Sequence, residues 1–338
     1  RPSDSLKVIG ITGTNGKTTA AHLVHRVLDE NSFRPGLVGT VEYRIGERVI
    51  PAKRTTPEAI GLQSMLRQMK DVGCDSVVME VSSHALAQRR VYGIDYDVGV
   101  FTNLTRDHLD YHGSTEEYFR AKSFLFESLG QAGKSGYAVF NTDDDFGMQL
   151  FKRGDIKAER VSCGMDPGCD VRAVDIEMTQ DGSAYTVHSP WGRVRISSRL
   201  LGRFNIYNNL AAFAACGVLG LDCESMGRSL SGFSRMPGRL EPVDTGRDFK
   251  VFVDYAHTDD ALRHVLETLK EITPNRVIAV FGCGGDRDRG KRPAMAAVAG
   301  SLADRTIITS DNPRSEAAGA ILDEIEVGFK EGAQYERV

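Results

Sequence analysis

The 338-residue sequence predicts an α/β protein: a doubly wound parallel sheet with a small antiparallel annex, followed by a smaller Rossmann-like α/β domain. Three observations predict it. Apolar strand-like runs alternate with segments of helical period over most of the chain. Between residues 170 and 198 this gives way to short runs broken by Gln180-Asp181-Gly182 and Ser189-Pro190-Trp191-Gly192, which are hairpin signals. After Met236-Pro237-Gly238-Arg239 the alternation restarts, which divides the chain into residues 1–238 and 239–338.

Residues 6–9 read as a short buried strand. Residues 20–28 read as a helix, with Ala21, Leu23, Val24, Val27 and Leu28 at helical spacing. Between them lies Gly10-Ile11-Thr12-Gly13-Thr14-Asn15-Gly16-Lys17-Thr18-Thr19. Strand, glycine loop and helix in that order suit phosphate. Gly13 and Gly16 let backbone N–H groups close on an anion, the helix N-terminus adds a favourable dipole, Lys17 supplies a point charge, and the Thr18 hydroxyl stands where it can ligate Mg²⁺. The spacing departs from Gly-x4-Gly-Lys-Ser/Thr, because Ile11 holds the first glycine's place. The alternative is a glycine turn of an ordinary α/β protein, but Gly-Lys-Thr-Thr opening a helix straight after a strand favours an ATP or GTP site, and so a P-loop ATPase domain.

Next come a strand over 36–40 and a helix begun by Thr56 as N-cap with Pro57 in its first turn and ended by Gly73. Strands over 76–81 and 98–102 follow. In doubly wound sheets ligands gather at the carboxyl ends of the strands, where the glycine loop, Glu80 and Asn103 all fall. Residues 205–219 read as a helix whose apolar run is too short to cross a bilayer. In the second domain strands are expected at 250–254, 276–281 and 305–309, with helices at 259–271, 293–302 and 316–329.

The composition is 41% apolar and 26% charged with a formal net charge of −4, and there is no Lys/Arg run. No nucleic-acid partner and no membrane association are expected from it. Six cysteines without a Cys-x-x-Cys pair fit a reducing cytoplasm, and a monomer is expected. The chain starts almost on its first strand and stops just after a helix, so it reads as cut at both ends.

Several side chains carry candidate chemistry. An acid such as Glu80 at a strand end is, taken alone, a solvated or capping residue; beside the glycine loop it becomes a Mg²⁺ ligand candidate. His108 and His112, four residues apart, could share a helix face and bind Zn²⁺, but no Glu stands between them in His-Glu-x-x-His order and no third His or Cys is near. His108, at the ligand edge, is the stronger candidate. His22 and His25 read as packing or surface residues. Lys122 reads as a solvated lysine on an amphipathic helix. In the second domain, residues 282–293 form another glycine loop at a strand's end, rich in Arg and Lys, which favours an anionic group. After the next strand comes Ser310-Asp311-Asn312-Pro313-Arg314, where Asp311 could hold an ammonium and Arg314 a carboxylate. A polar turn capping the next helix remains the alternative there.

Gly13-Thr-Asn-Gly-Lys-Thr-Thr19, Met79-Glu-Val-Ser-Ser-His84, Phe101-Thr-Asn-Leu-Thr-Arg-Asp-His-Leu-Asp-Tyr-His112, Asp254-Tyr-Ala-His257, Phe281-Gly-Cys-Gly-Gly-Asp-Arg-Asp288 and Asp311-Asn-Pro-Arg314 together resemble the Mur ligases of peptidoglycan synthesis. Within that family they look like the members that add the third residue of the stem peptide. The resemblance implies ATP-dependent amide synthesis, in which a carboxylate attacks the γ-phosphate of ATP to give an acyl phosphate and ADP, and an amine then displaces phosphate. It implies ATP contacts from Gly13, Thr14, Asn15, Gly16, Lys17, Thr18, Thr19, Asn208, Arg239 and Asp254. Mg²⁺ would be held by Thr18 and Glu80, and a second Mg²⁺ would lie near His108. Lys122 matches the lysine that the family carbamylates, which reverses the reading of Lys122 from pattern alone and adds it to the metal and catalytic set with Lys17, Glu80 and His108. UDP-MurNAc-dipeptide would lie on Thr55, Thr56, Ser82, Gln88 and Arg90. Arg287, Asp311, Asn312, Pro313 and Arg314 match the amino-acid site in the version associated with meso-diaminopimelate, whose extra carboxylate is a natural partner for Arg314. The family's N-terminal UDP-gripping domain and the end of its C-terminal domain have no counterpart in these residues. Two other readings are carried forward: a folylpolyglutamate synthetase-like ligase and a catalytically inactive ATP-binding module.

Overall fold

A computed structural model describes residues 1–130 and 134–338. The first unit opens β1 (Lys7–Thr12), α1 (Lys17–Glu30), β2 (Pro35–Val38) and a hairpin, β3 (Glu42–Ile45) with β4 (Arg48–Pro51). It continues through α2 (Ala59–Asp71), β5 (Ser76–Glu80), α3 (Ser83–Ala87), β6 (Val98–Phe101), α4 (Leu109–His112) and α5 (Thr115–Glu127). Then come β7 (Tyr137–Asn141), α6 (Asp145–Lys152), β8 (Glu159–Gly164), the meander β9 (Val171–Thr179), β10 (Gly182–Ser189) and β11 (Gly192–Ser198), and the helices α7 (Arg203–Gly217) and α8 (Cys223–Ser231).

These strands form one 11-stranded sheet in the order β11-β10-β9-β8-β7-β6-β1-β5-β2-β3-β4. From β2 to β9 the ladders are parallel, and both flanks are antiparallel. The antiparallel annex is present, and it is hydrogen-bonded onto the main sheet through β8 and β9 rather than standing apart. Alternate residues of β1 explain the double winding. Ile9 and Ile11 face a layer built with α1, α7 and α8, while Val8 faces a layer built with α2, α3, α5 and α6. Because the side-chain period of a strand is two, a run such as Val8-Ile9 serves both layers at once. Helix α7 is almost wholly buried from Asn205 to Gly217, as its apolar run predicts.

Two expectations change. The helix after Thr56 begins at Ala59, with Glu58 as N-cap. The Thr56 hydroxyl is committed elsewhere: it donates to the Glu80 carbonyl at 2.8 Å and accepts from the Ser82 amide at 3.1 Å. The segment expected as the second domain's first parallel strand is β13 (Val251–Val253), which pairs antiparallel with β12 (Glu241–Val243) outside the parallel sheet. That sheet has three strands, β14 (Ile278–Phe281), β15 (Arg305–Ile308) and β16 (Tyr335–Arg337), flanked by α9 (Asp259–Ile272), α10 (Lys291–Leu302) and α11 (Ala318–Glu326) over their own apolar core.

Candidate active site

The loop between β1 and α1 is shaped by close approach. Gly13 has φ +149°, and a Cβ there would stand 1.9 Å from Thr102 Oγ1 at the end of β6. Gly16, at φ 86°, is the N-cap of α1 and lies under Asn208. Neighbouring strands hold the loop from outside: the Asn15 amide donates to Asn103 Oδ1 at 2.9 Å, the Thr14 amide to the Asn103 carbonyl at 2.9 Å, and the Thr105 amide to Thr14 Oγ1 at 3.0 Å. The α1 N-terminal amides therefore point into a preformed anion cradle.

Two lysines converge on this loop. Lys17 Nζ folds back to donate to the carbonyls of Gly13 at 2.8 Å and Thr14 at 2.7 Å. Lys122 Nζ, from α5, donates to the same Gly13 carbonyl at 2.7 Å and lies 4.4 Å from the centre of the Tyr118 ring. Lys122 is only 1% exposed, so the solvated-lysine reading is wrong: α5 turns this position inward onto the loop. Burial pushes the Lys122 ammonium well below the ordinary lysine range, and the nearby Lys17 charge pushes it further. Burial lowers Lys17 as well, with Glu80 opposing.

Glu80 ends β5 fully buried. Its Oε2 accepts from Thr18 Oγ1 at 3.0 Å and from Thr40 Oγ1 at 2.9 Å, and its Oε1 accepts from the Thr40 amide at 2.7 Å. A hydroxyl and a carboxylate meeting at the mouth of the loop are hard oxygen donors of the kind Mg²⁺ takes. Thr40, two residues beyond β2, was missed in the sequence, although it falls at the same carboxyl edge of the sheet as Glu80. Tyr118, whose hydroxyl lies 3.2 Å from Thr14 Oγ1, carried no sequence signal.

His108 is the αL N-cap of α4 at φ 53°. Its ring centre is 4.8 Å from that of His84, and its Nε2 lies 3.4 Å from Asp107 Oδ2. Burial pushes His108 down to about 4 against the pull of Asp107. His112 Nε2 pairs with Ser83 Oγ at 3.0 Å. Among the described residues no group of three or more His, Cys, Asp or Glu side chains could hold a metal ion.

A cleft of roughly 1160 Å³ gathers most of the predicted residues: residues 14–19, Thr55, Glu80, Ser82, His108, Lys122, Asn208, Arg239, Asp254, Arg287, Asp311 and Arg314. Gly13, Thr56, Gln88, Arg90, Asn312 and Pro313 are outside its lining. Thr56 and Arg90 are nonetheless joined to it, since Arg90 Nη1 donates to the Thr56 carbonyl at 3.3 Å and Thr55 and Thr40 share a 3.0 Å hydroxyl contact. Arg90 also bonds Gln88, whose amide reaches the Tyr111 hydroxyl at 3.0 Å. Arg239 stacks over Tyr255 at 4.9 Å. Asp254 accepts from the amides of Leu240 and Ala256, both at 2.7 Å, which fixes the turn between the two units. Asn15 Nδ2 reaches Asp260 Oδ2 at 3.2 Å across the cleft, so the phosphate loop touches the second unit directly. Asn312 and Pro313 act through backbone: the Asn312 carbonyl accepts from the Gly285 amide at 2.9 Å, and the Pro313 carbonyl from that of Glu316 at 2.9 Å.

A phosphate loop on a doubly wound sheet, facing across a cleft a second α/β unit with its own glycine loop, defines a two-unit nucleotide-site protein. The family model described as the Mur ligase middle domain matches residues 11–216, and that of the Mur ligase, glutamate ligase domain matches residues 238–338. The chain belongs to the Mur ligase family. It is 51% identical over 332 residues to the UDP-N-acetylmuramoyl-L-alanyl-D-glutamate–2,6-diaminopimelate ligase of Geobacter metallireducens, covering 97% of this chain and 65% of that relative's length. A solved structure of a ligase of that description matches with a TM-score of 0.71 at 35% identity, covering 98% of this chain and 68% of that one. A folylpolyglutamate synthase structure from Mycobacterium tuberculosis shares the fold at 18% identity, with a TM-score of 0.77, covering 100% of this chain and 82% of that one. No helix among the described residues is long and apolar enough to cross a membrane.

Proposed function

We propose that this chain is the catalytic part of an ATP-dependent acid–amino-acid ligase that joins meso-diaminopimelate to UDP-MurNAc-L-Ala-D-Glu in peptidoglycan precursor synthesis. The observation that carries the reading is the single cleft in which the phosphate loop, the Thr18–Glu80 pair and buried Lys122 face Arg287, Asp311 and Arg314 across the two units. Lys17 and the α1 amides would take the phosphates of ATP, with Asn208, Arg239 and Asp254 around the nucleotide. Thr18 and Glu80 would hold Mg²⁺, with a second ion near His108 and Lys122. When bound, Mg²⁺ would neutralise the charge that two approaching anions bring together.

Lys122 is suited to modification. Burial and the Lys17 charge disfavour the Lys122 ammonium, and its neutral amine can add to carbon dioxide and lose a proton, which would place an anion beside Lys17. On the far side Arg314 is the bidentate partner for the distal carboxylate of diaminopimelate, and Asp311 faces its ammonium. Thr55, Thr56, Ser82, Gln88 and Arg90 form one bonded patch beside Glu80, fitted to the anionic acceptor. We place the reaction in the bacterial cytoplasm, in keeping with six free thiols, and expect a monomer.

The test is ADP release by the full natural chain with UDP-MurNAc-dipeptide and ATP, supplying diaminopimelate, lysine or no amine. Release that depends on diaminopimelate is expected. Equal release with lysine, or with a folate acceptor and glutamate, would move the assignment elsewhere, and no release with any amine would leave an inactive nucleotide-binding module.

A further inference from the structure

We propose that Arg292 is a positioning residue for amino-acid selection, a clasp that sets the two loops of the amino-acid subsite against one another; this rests on the function proposed above. Arg292 lies in the first turn of α10 and its side chain is wholly buried. An arginine is almost never fully buried without partners, and here the fork is divided among three segments. Nη1 donates to Glu316 Oε2 at 3.0 Å and to Glu324 Oε2, on α11, at 2.7 Å. Nη2 donates to Glu316 Oε1 at 2.8 Å and to the Gly284 carbonyl at 3.3 Å.

Glu316 passes the connection on. Its Oε1 accepts from the Asp286 amide at 2.6 Å, so one carboxylate joins Arg292 to the glycine loop after β14, while Glu316 itself follows the Asp311–Arg314 loop after β15. Ser315 closes a second stitch, with Oγ donating to Asp286 Oδ1 at 2.6 Å and its amide to Asp286 Oδ2 at 3.2 Å. Arg314 closes a third through its bond to the Gly285 carbonyl. The pairing with Arg292 holds the Glu316 carboxyl down to about 2, so the clasp stays charged through the neutral range.

The backbone shows what the clasp holds. Asp286 and Arg314, one on each loop, are non-glycine residues in the left-handed region, at φ 52° and φ 48°. Such residues persist only where their surroundings over-determine them. With the clasp intact, Arg314 and the neighbouring Arg287 line the cleft from a fixed frame. With it loosened, both loops relax toward ordinary conformations and the reading of the distal carboxylate blurs. Arg289 touches the same two carboxylates from outside, at 3.1 and 3.3 Å, but is 66% exposed and cannot replace a buried fork.

The test uses Arg292→Lys, which keeps the charge and loses the fork, and Glu316→Gln, which spares the buried cation should the first variant fold poorly. In the full natural chain KM for diaminopimelate is expected to rise at least tenfold in both, with KM for ATP within twofold of wild type and the preference for diaminopimelate over lysine reduced. Hydrogen exchange of the Gly285 and Asp286 amides is expected to speed up at least tenfold, with the β14–β15 ladder unchanged. Parallel rises in both KM values, or loop amides that exchange as in wild type, would overturn the clasp. A wild type that turns over no amine would sink the functional reading, and the exchange data would still decide the clasp.

Discussion

At the scale of single residues, Lys17, Lys122 and Arg314 are all cations, and each makes a different prediction. Lys17→Ala should keep the fold and lose ligation by on the order of 10²–10³-fold in kcat, because a preorganised charge at the transferred phosphate is removed; near-wild-type ADP release by a folded variant would take the loop out of the mechanism. Lys122→Ala should be nearly inactive and partly restored by short carboxylates such as acetate or propionate, since the carbamate proposed there would supply an anion. A free ammonium at Lys122 in crystals grown with bicarbonate and Mg²⁺ would end that idea. Arg314→Ala should cut kcat/KM for diaminopimelate by roughly one to two orders of magnitude, the worth of a charge-assisted contact of about 1.5–3 kcal/mol, and leave lysine little changed. Equal losses for both would make Arg314 a prop for its loop. Two of these residues could be read from pattern, Lys17 from its loop and Arg314 from its place after a strand. Lys122 could not, because its burial depends on a carbonyl 109 residues away, and nothing local to α5 distinguishes it from a surface lysine. Only the family resemblance singled it out.

At the scale of elements, legibility followed how local the cause was. The order of β1, loop and α1 is set by neighbours in sequence, and so it was read from the sequence. Thr56 looks like a helix cap because Thr-Pro is a local signal, yet its hydroxyl is taken by the backbone at the end of β5, which only the tertiary fold brings near. The elements β7, α6 and β8 lie where the sequence reading placed none, and the β3–β4 hairpin likewise escaped it although residues 42–50 alternate around Gly46. Helix α7 shows the opposite case. From Leu210 to Gly217 it is apolar all round because it is buried all round, and the packing of that half against the sheet should be worth correspondingly much. Leu210→Ala is expected to lower unfolding free energy by about 2–5 kcal/mol in urea titrations, with an unchanged m-value. A loss under 1 kcal/mol would mean that α7 closes over the vacated space.

At the scale of the whole molecule, acid should unfold the protein through α1. Burial lowers His22 and His25 from 6.5 to about 4. The unfolded chain therefore binds protons that the folded one refuses, so stability is full above pH 6.5 and falls as pH drops toward 4, by up to about 1.4 kcal/mol per pH unit for each histidine. Chemical melts from pH 7 to pH 4.5 should show that slope, and His25→Gln should reduce it, leaving the shares of His22 and of His108, which burial also lowers to about 4; an unchanged slope would take His25 out of the acid sensitivity. A last consequence comes from the distances in sequence between the parts of the phosphate site. Thr18 waits for Glu80, 62 residues on, and the Gly13 carbonyl for Lys122, 109 residues on. A chain emerging from the ribosome thus carries its phosphate loop long before the acid and the lysine that complete it. Because Thr102, Asn103 and Thr105 also shape and hold that loop, a shorter nascent chain carries the sequence of the loop without its geometry, and loop, acid and lysine come together only once α5 has been made.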